Sequence, residues 1–238
     1  MNNQIRISAK NLGELAMPNF CPHCFWLKLH SGNKLPFQIF PGIFSSIDLY
    51  TKQMVHRWFD SHEGQCPPWM DCLGDIAGYK EPPTYKTFNV LHQESNILLT
   101  GTPDGVLKRT DGSTVIVDYK TAKYTGTQDT LMPMYEVQLN AYAYIGERCG
   151  LKPVSDLALI YMEPLTGQDA VHDVTNHKDD GFAMGFKANV HKVELKPNMI
   201  PSLLEKTREI YDLFCAPDGY EGCKDCLLLE NLIQVSKK

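Results

Sequence analysis

Two aspartates and a lysine carry the sharpest chemical signal in this chain of 238 residues. Asp118 and Lys120 stand two apart in Thr114-Val-Ile-Val-Asp-Tyr-Lys120, a run that reads as a strand. Both therefore project from one face, while Val115, Val117 and Tyr119 project from the other. The turn upstream contains Asp111-Gly112. If the loop is Thr110-Asp111-Gly112 with Gly112 left-handed, residue numbers across the hairpin sum to 222 and Asp104 faces Asp118. A two-residue loop would make that sum 223 and set Asp104 against Tyr119. Two carboxylates at cross-strand distance repel unless a cation lies between them, and hard oxygen ligands suit Mg²⁺ or Mn²⁺. A lysine beside them can orient a water or stabilise charge developing on a phosphate. Those are the parts of metal-assisted phosphodiester hydrolysis. On spacing alone, a turn aspartate beside a surface Asp118–Lys120 pair accounts for the same residues equally well.

Cysteines form the second signal. Cys21-Pro-His-Cys24 lies near the start and Cys223-Lys-Asp-Cys226 near the end of the chain. Two-residue spacing lets both thiolates of a pair grip one metal, and if the termini meet, four thiolates close a tetrahedral site. Cys215 is a further C-terminal donor, so a two-plus-two or a one-plus-three ligand set is open. Residue types fit both zinc and an iron–sulfur cluster. His23 is another donor within reach of a zinc site, and it is expected to point away. Cys66, Cys72 and Cys149 have no metal-like spacing and read as buried or free thiols.

Pro103-Asp104, thirteen intervening residues and then Asp118-Tyr119-Lys120 resemble the PD-(D/E)XK motif of the RecB-like nucleases. Gln138-x-x-x-Tyr142 resembles the Q-x-x-x-Y motif of the same group, and its four-residue step puts both side chains on one helical face. The resemblance implies a restriction-endonuclease-like α/β core, with a mixed central sheet flanked by helices. It implies a divalent metal on Asp104, Asp118 and the Tyr119 carbonyl, a water positioned by Lys120, and a site arranged by Gln138 and Tyr142. These nucleases often add a histidine from the preceding helix. Here the candidates are His56 and His62, with His56 the expected metal ligand, although Lys52 can occupy the corresponding place. Cys21-Pro-His-Cys-Phe-Trp-Leu27 is similar to the opening motif of the CRISPR-adaptation and AddB-type nucleases, whose domain is clamped by a [4Fe-4S] cluster. The implied function is a DNA exonuclease. An adaptor module of a repair or CRISPR-adaptation complex, binding DNA with little cleavage, is the alternative, and protein partners of such a complex are implied with it.

The elements that must position these residues follow from hydrophobic periodicity. Ile47, Met54, Val55 and Trp58 predict a helix over 45–61, capped by Ser45 or Ser46 and packed by its Ile/Met/Trp face. Pro67, Pro68, Pro82, Pro83, Gly74 and Gly78 predict a long loop over 64–84, whose length and proline content suit a lid or threading arch over a single strand. Runs at 85–91, 96–101, 104–109 and 114–120 predict an antiparallel meander. A helix through Tyr135, Gln138, Tyr142 and Ile145 precedes a buried strand at 157–161. Further strands are expected near 169–175 and 189–195, with a last helix from Ile200 to Phe214. One domain is expected, with its core at 45–200 and a clamp from 1–44 and 200–238.

With 43% apolar and 21% charged residues, the chain can bury a sizeable core. Its formal charge of −5 excludes DNA binding through a global positive field, leaving a local basic groove. Lys108, Arg109, Lys120 and Lys123 are the expected phosphate contacts, and Trp26, Trp69, Tyr124 and Tyr135 are available for base stacking. No run approaches the roughly 18 apolar residues of a membrane span, and the N-terminal segment lacks a signal-like apolar core, so a soluble, cytoplasmic protein is expected.

Overall fold

A computed structural model describes residues 3–32, 34–35, 41–126 and 129–237. Parts of the expected clamp segment, 1–2, 33, 36–40 and 238, lie outside them. The chain runs through β1 (Ile5–Ser8), α1 (Ala9–Gly13), α2 (Pro22–His30) and the long helix α3 (Gly42–Ser61). After a 3-10 turn at Pro68–Leu73 come β2 (Ile76–Lys80), β3 (Asn89–His92), β4 (Ile97–Thr100), β5 (Gly105–Arg109) and β6 (Thr114–Lys120). Helix α4 (Met132–Gly146) leads into β7 (Val154–Pro164). The short α5 (Gln168–His172) and the hairpin β8 (His177–Lys178) and β9 (Gly181–Phe182) precede β10 (Phe186–Val193), α6 (Ile200–Tyr211) and α7 (Lys224–Ser236).

Five strands form a mixed sheet in the order β10-β7-β6-β5-β2. Only the β6–β7 pair is parallel, because α4 carries the chain back across the sheet between those two strands. The strict alternation of β6 lets the sheet be covered on both faces. Val115, Val117 and Tyr119 pack with Val55 and Phe59 of α3 on one side. Ile116 packs on the other side in a larger core with α4, α1 and α6. A smaller sheet, β1-β4-β3, closes over that second core. Helix α4 is thus enclosed on nearly every side, and all its residues from Val137 to Gly146 are buried.

The expected meander is divided: β3 and β4 form one hairpin in the small sheet, β5 and β6 another in the large one. Propensity and turn signals mark strands but not their partners. Helix α3 buries Thr51, Val55 and Phe59, four residues apart, while Met54 and Trp58 of the expected face stay exposed. The expected Ile/Met/Trp face is therefore not the packed one: one residue turns the helix by about 100°, so the buried row lies one position on from Met54 and Trp58. Pro41 rather than Ser45 or Ser46 stands at its N-cap. The segment 64–84 is not a lid. Met70 and Leu73 are fully buried, and β2 pairs with β5 through a register shift between Ile76 and Gly78 that hides its alternation. Around 169–175 a helical turn replaces the expected strand, and Val171 and Val174 are exposed.

Candidate active site and cysteine clamp

Local turn chemistry sets the register that matters most. Asp111 Oδ1 accepts from the Ser113 N–H at 2.8 Å, and Gly112 takes φ +85°, so the three-residue loop forms. Gly105 pairs with Val117 and Lys108 with Thr114, the register whose numbers sum to 222. Asp104, just before β5, therefore lies across from Asp118, and its Oδ2 accepts from the Tyr119 N–H at 3.0 Å. Gly105 must be glycine for this approach, since a Cβ there would come 2.5 Å from Val117 Cγ2.

Asp118 is 2% exposed at the centre of the cluster. Its Oδ1 accepts from the Gln138 side-chain amide at 3.1 Å, and the same amide donates to the Tyr142 hydroxyl at 2.8 Å. Lys120 Nζ stands 2.5 Å from Asp118 Oδ2, 3.5 Å from Gln138 Oε1 and 4.2 Å from the Tyr135 ring centroid. Asp118 Oδ2 is buried, and its close neighbour is that ammonium, which lies outside hydrogen-bonding geometry. With Asp104 across the hairpin, this donor set fits a divalent cation of the hard-oxygen class. Burial and the Asp118 charge raise the Asp104 carboxyl above its ordinary range, against the pull of Lys52. Burial also holds Tyr142 well above the usual phenol range and pushes Tyr135 up to about 12, so both hydroxyls stay protonated at neutral pH.

Lys52, from α3, binds Asp104 Oδ1 at 2.7 Å and Asp48 Oδ2 at 2.7 Å. Burial lowers its affinity for a proton, but the two carboxylates outweigh burial and raise it. The neighbouring imidazole is not brought to the acidic pair: His56 stacks on Tyr79 at 4.0 Å and faces Glu81 at 3.6 Å. His62 stacks on Trp58. A cleft of about 360 Å³ opens beside Tyr119 and Lys120, walled by Lys10, Phe44, Asp48 and Tyr135. Lys108 and Arg109 lie at the other end of β5, where Lys108 donates to Thr114 and Arg109 grips the Leu73 carbonyl and Asp156. They hold the sheet together rather than line the cleft. Trp26 belongs to a stack with His30 and Tyr211, and Tyr124 packs on Tyr161, so of the four aromatics only Tyr135 is beside Lys120.

The two C-x-x-C segments occupy equivalent places. Cys21 and Cys223 are the N-cap residues of α2 and α7, and Cys24 and Cys226 follow in the first turn. All four Sγ atoms lie within 4.8 Å of one another. Cys215 is exposed and outside this group, whereas His23 Nδ1 comes within 3.3 Å of Cys226 Sγ instead of pointing away. Burial raises the Cys226 thiol to about 12. Burial acts the same way on Cys21, but the backbone N–H groups of Cys24 and Tyr220 outweigh it and hold that thiol at about 7.

A family model described as the PD-(D/E)XK nuclease superfamily matches residues 50–230. The chain belongs to this superfamily. Asp104, Asp118 and Lys120 all lie within the matched residues. No curated protein matches the chain. Similar solved structures include SSO0001, at 11% identity over 88% of this chain and 78% of that one, with a TM-score of 0.45. The alkaline exonuclease LHK-Exo from Laribacter hongkongensis is 10% identical over 98% and 93% of the two chains, with a TM-score of 0.39. Its complex with dAMP gives 10%, 97%, 93% and 0.36 in the same order. This PD-(D/E)XK nuclease has no helix, among the described residues, long and apolar enough to cross a membrane.

Proposed function

We propose that this PD-(D/E)XK nuclease is a Mg²⁺- or Mn²⁺-dependent deoxyribonuclease that acts from DNA ends. The observation that carries the reading is the buried Asp118 carboxylate, pinned by Gln138 on one oxygen and ion-paired to Lys120 on the other, with Asp104 across the hairpin. Asp104, Asp118 and the Tyr119 carbonyl would hold the cation, which supplies a polarised phosphoryl oxygen and a more acidic water. Lys120 Nζ, which lines the cleft beside Asp118, would orient that water and meet charge developing on the phosphate. Gln138 fixes both Asp118 and Lys120, and Tyr142 backs Gln138 from one turn further on. Lys10 and Tyr135 offer a cation and a ring to a strand entering the cleft. Action at ends is carried over from the resemblance to clamp-bearing RecB-like nucleases. The single-domain plan, with a core at 45–200 and a clamp at 1–44 and 200–238, is part of the same proposal.

The test is cleavage of end-labelled single-stranded and duplex DNA with Mg²⁺ or Mn²⁺, comparing the parent with Lys120→Ala. Degradation from the ends by the parent alone supports the reading. The Lys52–Asp104 ion pair favours a second reading, because it already places a cation against the acidic pair. An adaptor of this kind would bind DNA in a salt-dependent way and cut it in neither form.

A further inference from the structure

We infer that the four-cysteine clamp holds a single zinc ion, not an iron–sulfur cluster. The distances decide between the two. Cys21 and Cys226 Sγ are 3.5 Å apart, Cys24 and Cys226 3.4 Å, and Cys24 and Cys223 3.7 Å. Zinc–thiolate bonds of about 2.3 Å arranged tetrahedrally place sulfurs about 3.8 Å apart. A cubane attaches each cysteine to a different iron, so the ligand sulfurs stand about 6 Å apart. The widest pair in this group is within 4.8 Å, which leaves no room between the sulfurs for four irons. A cavity of about 420 Å³ opens on one side of the group, lined by Cys21, Cys24 and Cys223 together with Glu14, Lys28 and Asp225, and it does not part the sulfurs from one another.

The surroundings are built for a small, doubly negative tetrathiolate. Both cysteine pairs stand at helix N-termini, whose unpaired N–H groups and dipoles favour thiolate charge. The Tyr220 N–H donates to Cys21 Sγ at 3.3 Å, and His23 adds a ring nitrogen at Cys226. Gly219 packs directly against the group, and a Cβ there would stand 3.0 Å from Cys226 Sγ and 3.7 Å from Cys21 Sγ. Cys215, the donor that a one-plus-three set requires, is elsewhere. Four thiolates with no open position make a closed, structural site, the arrangement zinc adopts without redox chemistry.

The inference stands apart from the nuclease reading and is tested without any cleavage assay. The full chain is produced with iron and zinc both supplied, purified without oxygen, and analysed for metal, acid-labile sulfide and visible absorption. The expected result is one zinc per chain, no sulfide and a colourless protein. Exchange with Co²⁺ should give the intense visible bands of a tetrahedral tetrathiolate. Cys215→Ser should keep its zinc, and Cys226→Ser should lose it. About four irons with about four sulfides per chain, one iron without sulfide, a folded metal-free chain, or loss of metal in Cys215→Ser would each overturn the inference. If Cys226→Ser fails to fold, the Co²⁺ spectrum of the parent still decides.

Discussion

Opposed charges meet at Asp104, and three outcomes follow at the scale of single residues. The Lys120 ammonium meets Asp118, Gln138 and the Tyr135 ring at the cleft, so Lys120→Ala should cut DNA at least about 100-fold more slowly while changing DNA affinity only slightly. Single-turnover cleavage and a binding titration read the two effects separately. Lys52 competes for the same carboxylate that a metal needs. Lys52→Met should therefore tighten Mg²⁺ binding several-fold by calorimetry, and weaker binding would show that Lys52 assists the metal instead. Burial and Asp118 raise the folded-state pKa of Asp104 above its unfolded value, outweighing Lys52 and the Tyr119 N–H. The folded chain then takes up a proton before the unfolded chain as pH falls. The ionised carboxylate costs stability above its raised pKa, and the cost is relieved as pH drops through it. Metal-free Asp104→Asn should melt above the metal-free parent at neutral pH, with the gap closing in acid. An equal or lower melting temperature at neutral pH would contradict this sign.

Elements transmit small displacements to this site because α4 is buried all round from Val137 to Gly146. Gly101, at the end of β4, faces Tyr142, and a Cβ there would lie 2.7 Å from its ring. Tyr142 in turn receives the Gln138 amide. Gly101→Ala should therefore destabilise the fold by about 1–3 kcal/mol through overpacking and also reduce cleavage, because the Gln138 link to Asp118 moves with the ring. Denaturant unfolding and cleavage at a temperature where the variant is fully folded separate the two losses. Full activity in that folded variant would mean that Tyr142 only fills space. The β5–β6 hairpin supplies the other side of the site. Its register is set by the Asp111-Gly112 turn and repeated by every pair from Gly105–Val117 to Lys108–Thr114.

At the scale of the molecule, the clamp joins positions 199 residues apart in the chain, Cys24 and Cys223. Closing so long a loop constrains the unfolded chain, though this benefit grows only slowly with length. The elements that depend on it are unequal. Helix α7 has no buried residue, whereas α2 contributes Phe25 and Leu29 to the main core. Stripping the metal with a chelator should raise amide hydrogen exchange first in α7, next in α2 and last in β6 and α4. Simultaneous loss of protection across all four would show that the clamp holds the whole fold rather than one end of it.

Part of the site was legible in the sequence because it depends on short-range geometry. A turn residue with positive φ at Gly112 and alternation along β6 set Asp104 across from Asp118 and put Lys120 on the face of Asp118, and a four-residue step puts Gln138 and Tyr142 on one face of α4. The two C-x-x-C chelates are equally local. That α4 lies against β6, so that Gln138 reaches Asp118, is tertiary packing that only the family resemblance implied. Tertiary structure alone decided which side of α3 is buried, and hence that Lys52 reaches Asp104 while His56 turns to Tyr79 and Glu81. It also separated β3 and β4 from β5 and β6, sent Lys108 and Arg109 to the far end of the sheet, and brought Cys21 and Cys24 to Cys223 and Cys226 without Cys215. Those outcomes depend on apolar area buried between segments far apart in sequence, and periodicity within a segment carries no information about its partner.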